Sequence, residues 1–266
     1  ATLTLVSPGT SGSLGDNKAI VVDTTVPTIA ITSSTINVSD GSITNDSTIS
    51  LTFTTSEITS NFTADDVTVT NGSISSFAGS GTSYTATFTP TATGACTIDV
   101  AKDKFTDAAS NNNTASIQFN WTYDNVGPTI IISSTTTGVT NGSSSNDTSI
   151  ALKFTANEKV KYFEANDISV TNGTISSFTD STPSPGSGTT YTAVFTPTSQ
   201  GACTIDIDAG KLVDYYADNI NSAADQFSWT YDNTAPSITI VSTTIGVTDG
   251  SMTNDATIAL TFTTSE

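Results

Sequence analysis

The chain has 266 residues, 25 acidic side chains against seven lysines, no arginine and no histidine, and a formal charge of −18. Phosphate contacts and anionic headgroups both require cationic side chains, so nucleic acid and a basic membrane patch are excluded as partners. No apolar run approaches the length of a bilayer span, which leaves no membrane insertion within this sequence.

In chain order the first landmark is Asp23-Thr24-Thr25-Val26-Pro27, which returns as Asp124-Asn125-Val126-Gly127-Pro128 and as Asp232-Asn233-Thr234-Ala235-Pro236. The prolines are 101 and 108 residues apart, a period that fits one small globular domain rather than a solenoid unit. Between these landmarks the same triplets recur. Ile49, Leu51 and Phe53 return as Ile150, Leu152 and Phe154, and again as Ile258, Leu260 and Phe262. Tyr84, Ala86 and Phe88 return as Tyr191, Ala193 and Phe195. Cys96, Ile98 and Val100 return as Cys203, Ile205 and Ile207, and Phe119 with Trp121 as Phe227 with Trp229.

The triplets alternate apolar with polar, the period of a half-buried strand, and Gly, Asn, Asp, Ser and Pro fill the gaps. Strands are expected near Ile29, Leu51, Val67, Ile74, Ala86, Ile98 and Phe119. About seven strands in some hundred residues describe an all-β, two-sheet sandwich of immunoglobulin type. The chain therefore reads as tandem Ig-like β-sandwich domains. Residues 1–23 hold the C-terminal strands of a preceding repeat, 24–124 the first repeat, 125–232 the second, and 233–266 the N-terminal strands of a third. The extra residues of the second copy fall mostly in the Ser/Pro/Gly stretch 180–187, where a loop tolerates insertion. Partial copies at both ends lead us to expect continuation in a longer array or self-association with neighbouring copies.

Cys96 and Cys203, one per copy, are too far apart to pair and are expected as small buried hydrophobes. Trp121 and Trp229 follow an inward Phe at strand period and are assigned to the core rather than to sugar stacking. Asn71-Gly72 and Asn172-Gly173 are read as tight hairpin turns. An enzyme is not expected, because the chain has no histidine, no arginine and no activated thiol.

The strings Asp23–Thr28, Phe62–Gly72 and Phe105–Ala115 resemble the bacterial Ig-like repeats of large adhesins and biofilm-associated proteins. The resemblance covers both full repeats and the leading half of the third. It implies an extracellular or cell-surface chain serving as a stalk or building a filament, with a glycan- or surface-binding module as the alternative, and it supplies no catalytic residue.

In a sandwich of this topology the last strand ends at the pole facing the next domain, while the loops after the second strand and before the last strand sit at the opposite pole, so the end of one domain faces these two loops of the next. Asp23 should therefore face Glu57 and Asp107, Asp124 should face Glu158 and Asp214, and Asp232 should face Glu266. Converging carboxylates are the hard oxygen ligands that calcium prefers, which makes calcium the one candidate cofactor. Sequons for N-linked sugar stand at Asn37, Asn45, Asn61, Asn71, Asn112, Asn120, Asn141, Asn146 and Asn172. A chain this rich in Ser and Thr produces many such triplets by chance.

Overall fold

The computed structural model describes residues 7, 9–17, 21–181 and 188–265. By compactness it divides into a first unit, Ala1–Gly127 with Asp214–Asn219, and a second, Pro128–Val213 with Ile220–Glu266. Of the leading segment, a four-residue helical turn at Leu14–Asn17 is described. Much of the expected pair of strands within 1–23 lies outside the described residues, as do positions 182–187 of the insertion and Glu266.

The first copy contains β1 (Ile29–Ser33), β2 (Ser42–Thr44), β3 (Ile49–Thr59), β4 (Val67–Thr70), β5 (Gly72–Pro90), β6 (Gly94–Val100) and β7 (Phe119–Tyr123). One sheet runs β1-β3-β5 and the other β2-β7-β6-β4. All pairs are antiparallel except β2 with β7, which is parallel in the register Ser42↔Trp121, Ile43↔Thr122, Thr44↔Tyr123. The inner faces are the triplets seen in the sequence: Ile49, Leu51 and Phe53 from β3, Tyr84, Ala86 and Phe88 from β5, Cys96, Ile98 and Val100 from β6, and Phe119 and Trp121 from β7. Strand alternation places each of them inward while the intervening threonines face out. Phe88 and Trp121 meet edge to face at 4.6 Å between ring centroids, joining the two sheets.

The second copy repeats this plan. It contains β8 (Ile130–Ser134), β9 (Ser144–Ser145), β10 (Ile150–Ala156), β11 (Val160–Lys161), β12 (Ile168–Thr171), β13 (Gly173–Asp180), β14 (Thr190–Pro197), β15 (Gly201–Ile207), β16 (Val213–Asp214) and β17 (Phe227–Tyr231). Its sheets are β13-β14-β10-β8 and β12-β15-β17-β9, with β17 and β9 again parallel. It closes its own core around Phe154, Phe195 and Trp229. Trp121 and Trp229 are 2% and 1% exposed, so neither presents a face to a sugar ring. Cys96 and Cys203 are buried free thiols, as expected. Burial pushes both thiols above their ordinary pKa, away from nucleophilic use.

Two sequence expectations change. The strands expected at Ile74 and Ala86 are one element, β5, which turns back at Gly79 and Gly81, where φ is +136° and +71°. In the second copy the longer loop separates the two arms into β13 and β14. Nor is Asn71-Gly72 a hairpin turn: it carries the chain from β4 in one sheet to β5 in the other. The glycine is needed for close approach rather than for its torsion, since a Cβ there would lie 2.2 Å from the Phe88 ring. Asn71, at φ 57°, anchors the crossing by donating from Nδ2 to the Ala92 carbonyl (2.7 Å). Asn172 repeats this with Ser199 (2.8 Å), and Gly173 lies equally close to Phe195.

The third copy contributes β18 (Ile238–Ser242) and β19 (Leu260–Thr264), paired antiparallel in the register of β1 and β3. Its apolar side chains are uncovered: Phe262 is 59% exposed, where its counterpart Phe53 is fully buried.

Candidate metal centre

The inner face of β3 changes character along its length. Ile49, Leu51 and Phe53 fill the core, and the same face then continues as Thr55, Glu57 and Thr59. A register shift between Thr54 and Thr59 marks the change from packed sheet to polar pole. Glu57 is thus aimed at the end of the sandwich by strand alternation, just beyond the last core residue.

Asp107 reaches the same point from the loop between β6 and β7. That loop is clamped by Asn113, a buried side chain with all its hydrogen-bonding capacity used. Its Oδ1 accepts the amides of Lys104 (2.7 Å) and Phe105 (2.9 Å), and its Nδ2 donates to the carbonyls of Ala101 (2.9 Å) and Thr114 (2.7 Å). Asn221 makes the matching four bonds, to Lys211, Leu212, Asp208 and Ser222. Sequence reasoning missed both asparagines. Their recurrence at one position in each copy was the available signal, masked by the abundance of Asn in the loops.

Asp107 is itself fixed by Asn111, whose amide donates to Oδ1 (2.9 Å) and whose Nδ2 donates to Oδ2 (2.8 Å). The same Nδ2 reaches the carbonyl of Asp23 at 3.2 Å. Asp23 accepts the amide of Thr25 on Oδ1 (3.0 Å), a local turn that Asp124 repeats with Val126 and Asp232 with Thr234. Asp23, Glu57 and Asp107 then each place one carboxylate oxygen within 4.8 Å of the other two. Three segments that are 34 and 50 residues apart in sequence converge, in the arrangement expected from the topology.

The three acids do not share one electrostatic state. Burial pushes the Glu57 carboxyl above its ordinary pKa, and the charges of Asp23 and Asp107 push it the same way. Asp107 moves below its ordinary value, chiefly because the Asn111 side chain donates to it. Such a set of oxygens fits a hard divalent cation and offers no nitrogen or sulfur ligand.

The remaining expected acids are placed as follows. Asp124 and Asp214 both fall in the first unit, and Asn219 donates from Nδ2 to the Asp124 carbonyl at 2.9 Å. Asp214 is buried and ringed by amides: Oδ1 accepts from Tyr216 (3.0 Å), Ala217 and Asp218 (3.0 Å), and Oδ2 from Asn219 (3.0 Å). Glu158 lies in the second unit, in the turn between β10 and β11. Asp232 accepts from Gln200 Nε2 at 3.1 Å, and its expected partner Glu266 lies outside the described residues.

Among the sequons, Asn37, Asn45, Asn61, Asn112, Asn141 and Asn146 are exposed. The side-chain amides of Asn71, Asn120, Asn141 and Asn172 are tied to carbonyls of the fold, and Asn61 and Asn45 donate to other side chains.

Two sheets with a parallel contact between the second and the last strand, closed around an aromatic core and written twice in tandem, define an immunoglobulin-like architecture. The chain belongs to the bacterial Ig-like domain family, which it matches over residues 23–123 and again over 124–231. No curated protein sequence matches it significantly. Among solved structures, the adhesin FdeC of Escherichia coli aligns at 14% identity over 93% of this chain and 75% of its own, with a TM-score of 0.39. Invasin, described as a bacterial integrin-binding protein, aligns at 17% identity over 80% of this chain and 41% of its own, with the same TM-score. InvD of Yersinia pseudotuberculosis aligns at 18% identity over 83% and 64%, with a TM-score of 0.34. Family membership rests on the tandem family match, and the structural alignments add no argument about function.

Proposed function

We propose that this chain is a structural repeat array of an adhesin-type surface protein, working outside the cell as a stalk or as the subunit of a filament. The repeats 24–124 and 125–232 are its spacers, with continuation or self-association extending the array. The observation that carries this reading is how the recurring side chains are used. Every aromatic shared by the two copies packs into a core or against it, and the acids Asp23, Glu57 and Asp107 cluster within the first unit where the chain enters the first copy. The groove between β1 and the approach to β7, about 230 Å³, offers a single carboxylate, Asp40, already bonded to the Asn120 amide at 2.7 Å. Nothing about that groove suits acid–base chemistry.

Electron microscopy of the native material tests the proposal. Extended chains of beads, or ordered fibres with a regular subunit, are the expected outcomes. Compact particles without extension would overturn it.

One observation favours the alternative, a glycan- or surface-binding module. Tyr215 and Tyr216 stand exposed and edge to face, 5.0 Å between centroids, in a loop where the first copy carries Ala108 and Ala109. Exposed aromatics of this kind stack on sugars. Under this reading, glycan-array binding by the native chain should disappear in Tyr215→Ala/Tyr216→Ala. Absence of any array signal would leave the stalk reading alone.

A further inference from the structure

The sheets of the first copy end in free edges, and β2, β4 and β5 each blunt theirs. β2 is three residues long, β4 follows directly on Asp65 and Asp66, and the outer arm of β5 is kinked at Ser76, where φ is 52°. β1 has none of these devices. Ile29-Ala30-Ile31-Thr32-Ser33 carries no charge and no proline, and its register against β3 runs without a shift. Such an edge is a template that another strand can join.

The hydrogen bonds show which side of β1 is open. The Thr28 carbonyl accepts the Ser56 amide (3.0 Å) and the Ser34 amide donates to the Ser50 carbonyl (2.9 Å), so Ala30 and Thr32, in step with them, bond to β3. The amides and carbonyls of Ile29, Ile31 and Ser33 therefore point away from the sheet. Thr114 begins to use that side, donating to the Pro27 carbonyl at 2.9 Å. Two residues later Ser116 donates instead to Val100, in the other sheet (2.9 Å). The two paths diverge there, and the groove of about 230 Å³ opens beside β1. Ile29, Ile31 and Phe119 line it as buried side chains, while Ile117 is 87% exposed. The carboxylate that lines it, Asp40, commits Oδ1 to the Asn120 amide (2.7 Å) and side chain (3.3 Å).

We propose that the β1 edge and this groove bind an extended peptide strand that alternates apolar with polar residues and carries a lysine or arginine. Its backbone pairs with Ile29, Ile31 and Ser33, its apolar face packs on Ile117 and Phe119, and its cation meets Asp40. Charge complementarity sets the sign: a chain of −18 without arginine repels an acidic strand, and Asp40 is the charged group at the groove. The second copy lacks this combination. Its equivalents of Asp40 and Ile117 are Asn141 and Asp225, so one wall has lost its acid and the apolar wall has become one. The proposal stands apart from the stalk reading, and its test involves no fibre.

The test is a fluorescence-polarisation titration of the full chain into labelled synthetic strands, roughly seven residues long so as to span the edge. Val, Ile or Leu alternates with Thr in them, and one end carries Lys or, in matched controls, Glu. Saturable binding is expected for the Lys-ended strands, weaker by about tenfold or more for the Glu-ended ones. Hydrogen exchange should slow at the Ile29, Ile31 and Ser33 amides. Ile117→Asp and Asp40→Asn each install the residue of the second copy at an exposed position. Asn141 accepts the Ser228 amide at 2.8 Å, so the second variant keeps the bond that Asp40 makes. Ile117→Asp should weaken binding about tenfold or more, and Asp40→Asn should remove much of the preference for Lys over Glu. No saturation by any strand would overturn the proposal, as would undiminished affinity in Ile117→Asp. Dimerisation of the chain alone, lost in Ile117→Asp, would overturn the peptide as occupant in favour of a second copy.

Discussion

The two copies share one core and differ at their poles, and the contrast shows which parts of the repeat are constrained by packing and which are free to diverge. The apolar triplets occupy matching places and lose nearly all exposure in both. The loops that carry Asp107 and Asp214 do not match. The first runs Asp107-Ala108-Ala109-Ser110-Asn111 and gives its aspartate two donations from one asparagine. The second, Asp214-Tyr215-Tyr216-Ala217-Asp218-Asn219, is one residue longer and wraps its aspartate in four amides. Core positions must interdigitate with both sheets, whereas a pole has only to satisfy its own backbone and keep its carboxylate aimed.

The strongest way to break the comparison is to strike both cores alike. Phe88→Ala and Phe195→Ala should each cost about 3–5 kcal/mol, and by similar amounts, because each ring is fully buried against the Trp of its own copy. Single-tryptophan variants followed in denaturant would report each copy separately, and a loss below about 1 kcal/mol in either would contradict the equivalence.

Next come Asn113→Ala and Asn221→Ala. Each strands two amides and two carbonyls, so a loss of about 2–3 kcal/mol is expected, with faster amide exchange at Lys104–Phe105 or Lys211–Leu212. Unchanged exchange would show that these clamps are dispensable. Gly72→Ala and Gly173→Ala should cost about 1–3 kcal/mol through the clash with Phe88 or Phe195, measurable as a lowered denaturation midpoint.

A smaller effect sharpens the contrast. Trp229 donates from Nε1 to Ser145 Oγ at 3.1 Å, while the buried Nε1 of Trp121 has no partner beside Thr44. Thr44→Ser should therefore stabilise the first copy by about 0.5–1.5 kcal/mol if it restores that bond, and a neutral result would assign the difference to the strand backbone.

The pH response separates two acids of one pole by direction. Glu57 titrates above its ordinary 4.5 in the fold, so the stability it contributes is present below that value and is lost as pH rises through the folded one. Asp107, shifted below 3.8, contributes stability above 3.8 that is lost as pH falls through its lowered value. In calcium-free buffer Glu57→Gln should remove a decline in first-copy stability that sets in as pH rises above 4.5. Parallel curves for the variant and the native chain would count against the coupling of the three acids.

Much of this was readable before the fold was known, for physical reasons that differ by element. Ile49, Leu51 and Phe53 announced their strand because a two-residue period has only two faces to choose from. Asp23, Glu57 and Asp107 were brought together by topology, since strand order alone decides which loops share a pole. The asparagines Asn113 and Asn71 stayed hidden because a buried polar side chain is defined by its donors and acceptors, which come from distant backbone. Gly72 was read as a turn residue on its local pattern, and the Phe88 ring that actually requires it lies sixteen positions away in sequence.

The parallel contact between β2 and β7 has a mechanical consequence. A chain pulled at its ends delivers the load to β7 through the residues that follow Tyr123, and to β2 from the side of β1. Two parallel strands drawn in opposite directions slide along their hydrogen bonds, so the Ser42–Thr44 ladder is loaded in shear and its bonds must fail together. An antiparallel hairpin pulled at its open end parts one bond at a time. We expect Thr44→Pro, which removes the N–H of a residue whose backbone faces β7, to lower the force at which the first copy opens in single-molecule pulling, with the second copy as an internal reference. An unchanged force would place the mechanical barrier elsewhere. In this geometry a stretch of three residues sets how much tension the sandwich withstands.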